Sequence, residues 1–197
     1  MKKTLALFDF DGTITIKDTL LEIIRFHQGN YRMYLGFLQL SPYLFLFKLK
    51  LLSNTKAKER ILQHFFGGIP IEKFNKLCED FCKGPLLKMI RPLALQCIKN
   101  HLKDGHEVWV VSASAENWVS PWCKLMGISV MATKLEINQN KITGKILGEN
   151  CYGEEKLNQI KKVLDLNQYD QIFSYGDSDG DRQMLDQANF PNFKPFR

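Results

Sequence analysis

The chain alternates between short apolar runs and longer segments whose apolar residues recur at helical spacing. The short runs predict strands at residues 4–9, 107–112, 128–131 and 171–175. The longer segments predict helices at residues 86–103, 116–126, 154–164 and 181–188. Residues 135–146 alternate around Asn138-Gln139-Asn140, which predicts a β-hairpin. Alternating strands and helices are typical of an α/β fold with a parallel sheet flanked by helices.

A long helical insertion separates the first strand from the helix predicted at residue 86. Its predicted breaks lie at Gly29, Pro42, Ser53-Asn54, Gly67-Gly68 and Gly84-Pro85. We therefore predict a core domain from residues 1–15 and 86–197, and a helical cap from residues 16–85. An insertion at the carboxyl edge of a strand lies over the ligand crevice of an open α/β sheet, where it can exclude water.

The segment from Tyr31 to Leu52 is almost entirely apolar and aromatic, with Lys48 and Lys50 near its end. It lacks the run of about 18 apolar residues that a membrane span needs. Its pattern fits the interior of the cap. It also fits an interfacial surface that admits a lipid phosphate, with the two lysines toward anionic headgroups.

Charge and cysteine content narrow the class of partner. Lysine and arginine exceed aspartate and glutamate by 27 − 21 = 6 in 197 residues. This excess suits a small anionic substrate or an anionic membrane surface, and the absence of a dense basic block argues against nucleic acid. The five cysteines are expected to be reduced thiols. With no secretory signal visible, we expect a cytoplasmic protein, or one peripheral to the inner membrane face.

The candidate chemistry begins with Asp9 and Asp11, which directly follow the first buried strand. Two carboxylates this close in low dielectric repel each other unless a cation lies beside them. Three later segments supply complementary groups, each at the end of a strand or the start of a helix. They carry Ser112, Lys156 and the acidic loop Asp177–Asp181.

The four segments are Asp9-Phe10-Asp11-Gly12-Thr13, the strand ending in Ser112, the segment that carries Lys156, and Gly176-Asp177 through Asp181. They resemble the four motifs of the haloacid dehalogenase superfamily. The order is the same, and the resemblance covers essentially the whole chain. The chain is most similar to the subgroup that contains phosphoserine phosphatase, subfamily IB. The resemblance implies a Rossmann-like core, an inserted cap and phosphatase activity.

The resemblance also implies the roles of the acidic residues. Asp9 is the expected nucleophile, which attacks phosphorus and forms an aspartyl-phosphate. Asp11 is the expected general acid and then base. Mg²⁺ is the implied cofactor, with Asp9, the Asp11 backbone carbonyl and Asp177 as its protein ligands.

The remaining motif residues have supporting roles by the same resemblance. Ser112 is expected to donate its hydroxyl to a phosphoryl oxygen, while Ser114 is the better candidate for capping the next helix. Lys156 would neutralise charge in the transition state. Gly12 and Thr13 would shape the phosphate loop, and Asp181 would orient a metal-bound water or hold Lys156.

Cap residues would set specificity, and the resemblance implies a cap acid and a cap arginine, here Asp18 and Arg60. The leading interpretation is hydrolysis of a small phosphorylated metabolite such as phosphoserine. The alternatives are a phosphotransferase, a phosphatase of phosphatidylglycerophosphate-like lipids at the membrane surface, and a non-enzymatic membrane-binding module.

Overall fold

Seven strands form the β-structure in a computed structural model of the protein, which describes residues 3–197. The strands are β1 Thr4–Phe8, β2 Glu107–Ala115, β3 Ser129–Thr133, β4 Leu135–Asn138, β5 Lys141–Ile146, β6 Gln171–Gly176 and β7 Phe190–Phe193. Five of them make one parallel sheet in the order β3-β2-β1-β6-β7, whereas β4 and β5 pair as an antiparallel hairpin.

Within residues 3–197, seven α-helices accompany the strands. They are α1 Thr19–Lys48, α2 Asn54–Phe66, α3 Ile71–Lys83, α4 Pro92–Lys103, α5 Glu116–Met126, α6 Glu154–Val163 and α7 Arg182–Asp186. The predicted α/β class, with its parallel sheet and small hairpin, is confirmed.

The central strand β1 is buried along its whole length because helices cover both faces of the sheet. Ala6 and Phe8 point to the larger apolar cluster, which extends into the cap helices. Leu5 and Leu7 point to a smaller cluster with α6 and α7. This placement holds the carboxyl end of β1, and whatever follows it, at a fixed position.

Two details of the core differ from the predictions. The helix predicted from residue 86 begins at Pro92, after a short 3-10 turn, because proline is favoured in the first turn of a helix and breaks its interior. The strand β7 was not predicted. It contains Pro191 and lies at the edge of the sheet, where a residue without an N–H is tolerated.

The insertion forms α1, α2 and α3, and the chain enters and leaves it through adjacent backbone segments. Ile16 N donates to Met89 O at 2.8 Å, and Arg91 N donates to Ile14 O at 2.8 Å. The break predicted at Pro42 is wrong, because α1 continues through this residue. Pro42 is exposed, so water can satisfy the backbone carbonyl that its missing N–H leaves free.

Gly29 marks the one interruption that α1 does show within its described length. Its backbone has φ 77° and ψ 166°, a left-handed conformation that glycine adopts without strain. The hairpin of β4 and β5 packs beneath α2, where Gly68 N donates to Ile142 O at 2.8 Å. The cap therefore rests on the hairpin through α2 and on α5 through α3.

Candidate active site

A cavity of about 510 Å³ lies between the carboxyl ends of the sheet strands and the cap. Asp9 follows β1, Ser112 lies near the end of β2, and Asp177 follows β6. Because these parallel strands are neighbours, their carboxyl ends bring the three side chains to one edge of the sheet. All three line the cavity.

Lys156 forms the buried centre of the site. Its Nζ lies 2.6 Å from Asp9 Oδ1 and 2.6 Å from Asp181 Oδ1, and its side chain is 2% exposed. Burial alone would lower the pKa of Lys156, but the two carboxylates hold it above its ordinary value. Lys156 therefore stays cationic, and it fixes the orientation of the Asp9 carboxylate.

Asp181 is held from both sides. Its Oδ2 accepts hydrogen bonds from the backbone N–H groups of Asp177 and Ser178 at 3.1 and 3.0 Å, and from Ser178 Oγ at 2.8 Å. Burial would raise its pKa, but Lys156 and these donors hold the pKa below the ordinary value. Asp181 thus connects Lys156 to the loop that carries Asp177.

Of the two carboxyl groups that pair with Lys156, that of Asp9 is protonated more readily than that of Asp181. Burial raises the pKa of Asp9 to about 7, against the opposing effect of Lys156. Asp181 and Asp11 add further negative charge nearby. An additional cation would favour the ionised, nucleophilic form of this carboxylate.

Asp11 is held by a separate network that reaches across the cap boundary. Its Oδ2 accepts from Ser114 Oγ at 2.5 Å, and its Oδ1 accepts from Thr19 N at 2.7 Å. Trp118 Nε1 in turn donates to Thr19 Oγ1 at 3.0 Å. Burial, with the nearby charge of Asp18, raises the pKa of Asp11 to about 6. A carboxyl group in this range can both give and take a proton near neutral pH.

The carboxylates of Asp9, Asp177 and Asp181 lie close enough to hold a metal ion, with one oxygen of each within 4.8 Å of the others. Such hard oxygen donors suit Mg²⁺. A further cation fits the charge balance, because three carboxylates meet here around the single ammonium of Lys156, and Asp11 adds negative charge nearby. The third, Asp177, pairs with the guanidinium of Arg197, which shows that this edge accommodates positive charge.

Gly12 is required by the close approach of its backbone to Asp177. A Cβ atom at this position would lie 2.8 Å from Asp177 Cγ, and the backbone φ of 82° disfavours other residues. Thr13 is buried beside it. The turn therefore brings the backbone of the first motif directly against the acidic loop of the fourth.

Ser112 lies in the cavity with its hydroxyl hydrogen available. Its Oγ accepts a hydrogen bond from Ser114 N at 3.0 Å, so its own O–H can donate to a ligand. The prediction that Ser114 caps α5 is wrong, because Ala115 occupies the N-cap position. The Ser114 hydroxyl is instead committed to Asp11.

The cap contributes a different cation from the predicted one. Arg60 lies on the exposed face of α2, where its guanidinium stacks over Tyr43 at 5.1 Å. Lys58 lies in the cavity instead, and its Nζ donates to Ala113 O and, at 3.0 Å, to Asn150 Oδ1. Side chains two positions apart on a helix point in nearly opposite directions, so only one of Lys58 and Arg60 can face the site.

Asp18 lies at the cavity, as predicted for a cap acid, but its oxygen is engaged with the backbone. Its Oδ1 accepts from Leu20 N at 2.8 Å and Leu21 N at 3.3 Å, which caps α1. Burial lowers the pKa of Lys58 to about 8, and Asp11 and Asp18 oppose this shift. Asp18 and Lys58 therefore both interact electrostatically with the Asp11 carboxyl from the cap side of the cavity.

Sequence reasoning missed four residues of the site, namely Thr19, Ser114 in its bond to Asp11, Lys58 and Asn150. Thr19 and Lys58 come from the cap, and Asn150 from the loop before α6. A single hydroxyl or amide side chain is not marked as a site residue by any sequence motif. The available signal was the position of Thr19 directly after Asp18, at the start of the insertion.

Comparisons with known proteins agree with this geometry. The family model described as haloacid dehalogenase-like hydrolase matches residues 6–186. The phosphoserine phosphatase of Methanocaldococcus jannaschii is 28% identical over 194 residues, covering 95% of this chain and 83% of that protein. The histidinol-phosphatase of Neisseria meningitidis serogroup C is 24% identical over 212 residues, covering 96% and 89%.

The fold also recurs in a solved structure. A protein of unknown function from Bordetella pertussis Tohama I superposes with a TM-score of 0.82 at 20% identity. The match covers 95% of this chain and 88% of that one. At this identity the likeness concerns the fold, including the inserted cap.

Proposed function

Since the chain belongs to the haloacid dehalogenase-like hydrolase family and is a phosphatase, we propose that it hydrolyses phosphomonoesters through an aspartyl-phosphate on Asp9. The observation that supports this most is that two carboxyl groups directly after β1, those of Asp9 and Asp11, are each held in a fixed orientation. Lys156 orients Asp9, and Ser114 and Thr19 orient Asp11 two residues later. The two carboxyl groups therefore have separate environments suited to separate roles.

In the first step, Asp9 attacks phosphorus and the bond from phosphorus to the ester oxygen breaks. Asp11 gives its proton to the departing alkoxide. In the second step, Asp11 takes a proton from water, and the resulting hydroxide attacks phosphorus; the bond from phosphorus to Asp9 breaks, which frees the carboxylate and releases inorganic phosphate. Lys156 and the Ser112 hydroxyl stabilise the negative charge that develops on the phosphoryl oxygens.

Mg²⁺ would be held by Asp9, Asp177 and the backbone carbonyl of Asp11. It supplies charge neutralisation between the phosphate and the attacking carboxylate. The surplus of carboxylates around Lys156 supports this assignment. We also expect Ca²⁺ to support turnover poorly, because its longer bonds and larger ligand number misplace the carboxylate.

Metal binding can be tested without measuring turnover. Added Mg²⁺ should raise the melting temperature of the wild-type protein, since a ligand that binds the folded state stabilises it. Asp177→Asn should reduce that rise. Asp179→Asn is the matched control, because Asp179 is in the same loop but its side chain is 88% exposed. An equal response of wild type and Asp177→Asn would contradict this ligand set.

We propose a small phosphorylated metabolite, such as phosphoserine, as the substrate. Lys58 supports this proposal, because an ammonium group above the catalytic carboxylates can bind an anionic group of the ester. The names of the phosphatase relatives point the same way, since phosphoserine and histidinol phosphate are both small.

A second candidate is a phosphate ester that carries an acyl chain. The cap side of the cavity is apolar and is lined by Ile16, Leu20, Leu44, Phe47 and Ile61. One panel distinguishes the two candidates by comparing kcat/KM for phosphoserine, other small phosphomonoesters and phosphatidylglycerophosphate. Higher kcat/KM for the small esters supports the first candidate, and a clear preference for the lipid supports the second. Failure of Asp9→Asn to abolish turnover of any of them would contradict both.

A further inference from the structure

Helix α1 has two apolar faces, and only the inner one is packed within the described residues. Met33, Gly36 and Leu40 are buried on the inner face, where Phe65 of α2 lies against it. The opposite face is also apolar and is exposed to solvent. We call this the outer face and define it by Tyr31, Tyr34, Leu35, Leu38, Phe45 and Leu49.

The outer face is continuous along the helix. At about 100° per residue, its six members fall within roughly 60° of one direction and extend over about 27 Å. Tyr31 is 80% exposed, Leu38 68% and Phe45 61%. Proteins in water seldom leave a contiguous apolar surface of this kind uncovered, so it marks an interaction site.

The charged residues of the segment that forms this face are all basic. Between Phe26 and Ala57 the sequence has four basic residues, Arg32, Lys48, Lys50 and Lys56, and no aspartate or glutamate. By the same helical geometry, Arg32 and Lys48 lie on opposite flanks of the outer face. Lys50 follows in the turn after the helix and is exposed.

An apolar stripe bordered by cations is complementary to an anionic lipid bilayer, in which acyl chains lie beneath negative headgroups. It is less suited to a second copy of the chain. In a symmetric dimer the same patch meets itself, so Arg32, Lys48 and Lys50 would approach their own copies with no acidic residue of this segment between them. No helix among residues 3–197 is long and apolar enough to cross a membrane.

We propose that the outer face of α1 docks the protein on an anionic membrane surface, with the helix lying in the plane of the interface. This goes beyond the proposed function and does not depend on it. The outer face and the active-site cavity lie on opposite sides of α1, since Leu44 lines the cavity. Docking therefore leaves the catalytic residues unchanged.

The test is vesicle co-sedimentation of the full chain with vesicles of phosphatidylcholine alone or mixed with phosphatidylglycerol. We expect binding to the mixed vesicles that weakens with added salt, because screened charge contributes. Leu38→Gln/Phe45→Gln should lower the affinity by at least about tenfold, since both side chains lose their burial in the bilayer. The matched control is Leu93→Gln/Leu125→Gln, at positions 63% and 66% exposed outside the cap.

A second pair tests the charges. Lys48→Gln/Lys50→Gln should lower affinity for the mixed vesicles by roughly tenfold or more. Lys99→Gln/Lys103→Gln removes the same charge from exposed positions on α4 and should have little effect. Asp9→Asn should bind vesicles like wild type, which separates docking from catalysis.

Three results would overturn the proposal. The first is no binding of the wild type to anionic vesicles, and the second is an equal loss in the variants and their matched controls. The third is a stable dimer in analytical ultracentrifugation that Leu38→Gln/Phe45→Gln dissociates, since the outer face would then be covered by a second copy. Circular dichroism of each variant verifies that the fold is intact.

Discussion

At the scale of single residues, Asp9 and Asp11 lie only two positions apart in the sequence but differ in the groups that hold them. Asp9 pairs with the ammonium of Lys156, whereas Asp11 accepts hydrogen bonds from a hydroxyl and a backbone N–H. A cation favours the ionised form that a nucleophile needs. Burial raises the pKa of Asp11 to about 6 although its donors oppose the shift, so this carboxyl can give and take a proton near neutral pH, as a general acid and base requires.

Replacing Asp9 with asparagine should abolish turnover while the fold persists. The amide has nearly the same shape but cannot form the aspartyl-phosphate, so the barrier should rise by at least ~4 kcal/mol. The measurement is kcat with an aryl phosphate, with circular dichroism as the structural check. Asp179→Asn, at the exposed aspartate of the acidic loop, should retain activity. Near-normal turnover of Asp9→Asn would show that another group is the nucleophile.

The raised pKa of Asp11 predicts a pH dependence that varies with the leaving group. Asp11 is protonated below its pKa of about 6, so hydrolysis of an alkyl phosphate should decline as pH rises through this value. An aryl phosphate needs less protonation and should decline less. Asp11→Asn should cost about 10²- to 10⁴-fold on the alkyl ester.

The neighbouring Asp18 supplies a control for that assignment. Its charge helps to raise the pKa of Asp11, so Asp18→Asn should move the decline of alkyl-ester kcat to lower pH. Asparagine caps a helix as well as aspartate does, so α1 should be undisturbed. An unchanged pH profile in Asp18→Asn would argue that a different group titrates.

At the scale of elements, the face that α2 turns toward the cavity determines which cap cation can act. Lys58 faces the cavity, and Arg60 faces solvent. Lys58 also joins the cap to the core through Ala113 O and Asn150 Oδ1. One side chain therefore connects the helix to two segments of the core domain.

Replacing Lys58 with methionine should raise KM for small phosphomonoesters by roughly 10- to 100-fold, the worth of a hydrogen bond to a charged group. Methionine keeps the apolar stem but removes the ammonium. Arg60→Met is the matched control from the same helix and should change KM little. Steady-state kinetics with phosphoserine tests both variants. A larger effect in Arg60→Met would mean that the cap binds substrate in another orientation.

At the scale of the whole molecule, His101 connects α4 to strand β6 of the sheet through Tyr175. Its Nε2 lies 2.8 Å from the Tyr175 hydroxyl, and its Nδ1 lies 2.7 Å from His106 Nδ1. Burial, with the charge of His106, lowers the pKa of His101 to about 4. The folded protein therefore holds this imidazole neutral.

That lowered pKa predicts acid sensitivity of the fold. The unfolded chain binds a proton at His101 near pH 6.5 and the folded chain only near pH 4, so stability is lost as pH falls between these values. The contribution of this residue is at most about 3 kcal/mol. Urea unfolding of His101→Gln should show a shallower pH dependence across this range. His64→Gln, at an exposed histidine, should keep the wild-type slope.

Much of the fold followed from local pattern. The positions of the strands other than β7, the parallel sheet and the insertion after the first strand were predicted because apolar periodicity is a property of neighbouring residues. Asp9, Ser112 and Asp177 were found together because parallel strands end at the same edge of a sheet, and Lys156 joins them from the start of α6. The helix break at Pro42 was predicted wrongly, since the exposure that makes this proline tolerable is set by packing.

The tertiary structure decided what depends on contacts between distant residues. Ser114 bonds Asp11 across 103 positions, and Lys58 reaches Asn150 across 92. It also decided that α2 turns Lys58 inward rather than Arg60, and that one apolar face of α1 packs while the other stays exposed. The sequence by itself determined which residues alternate and which chemical groups end the strands. Which partner each group meets was decided by packing, because such contacts leave no periodic signal in the chain.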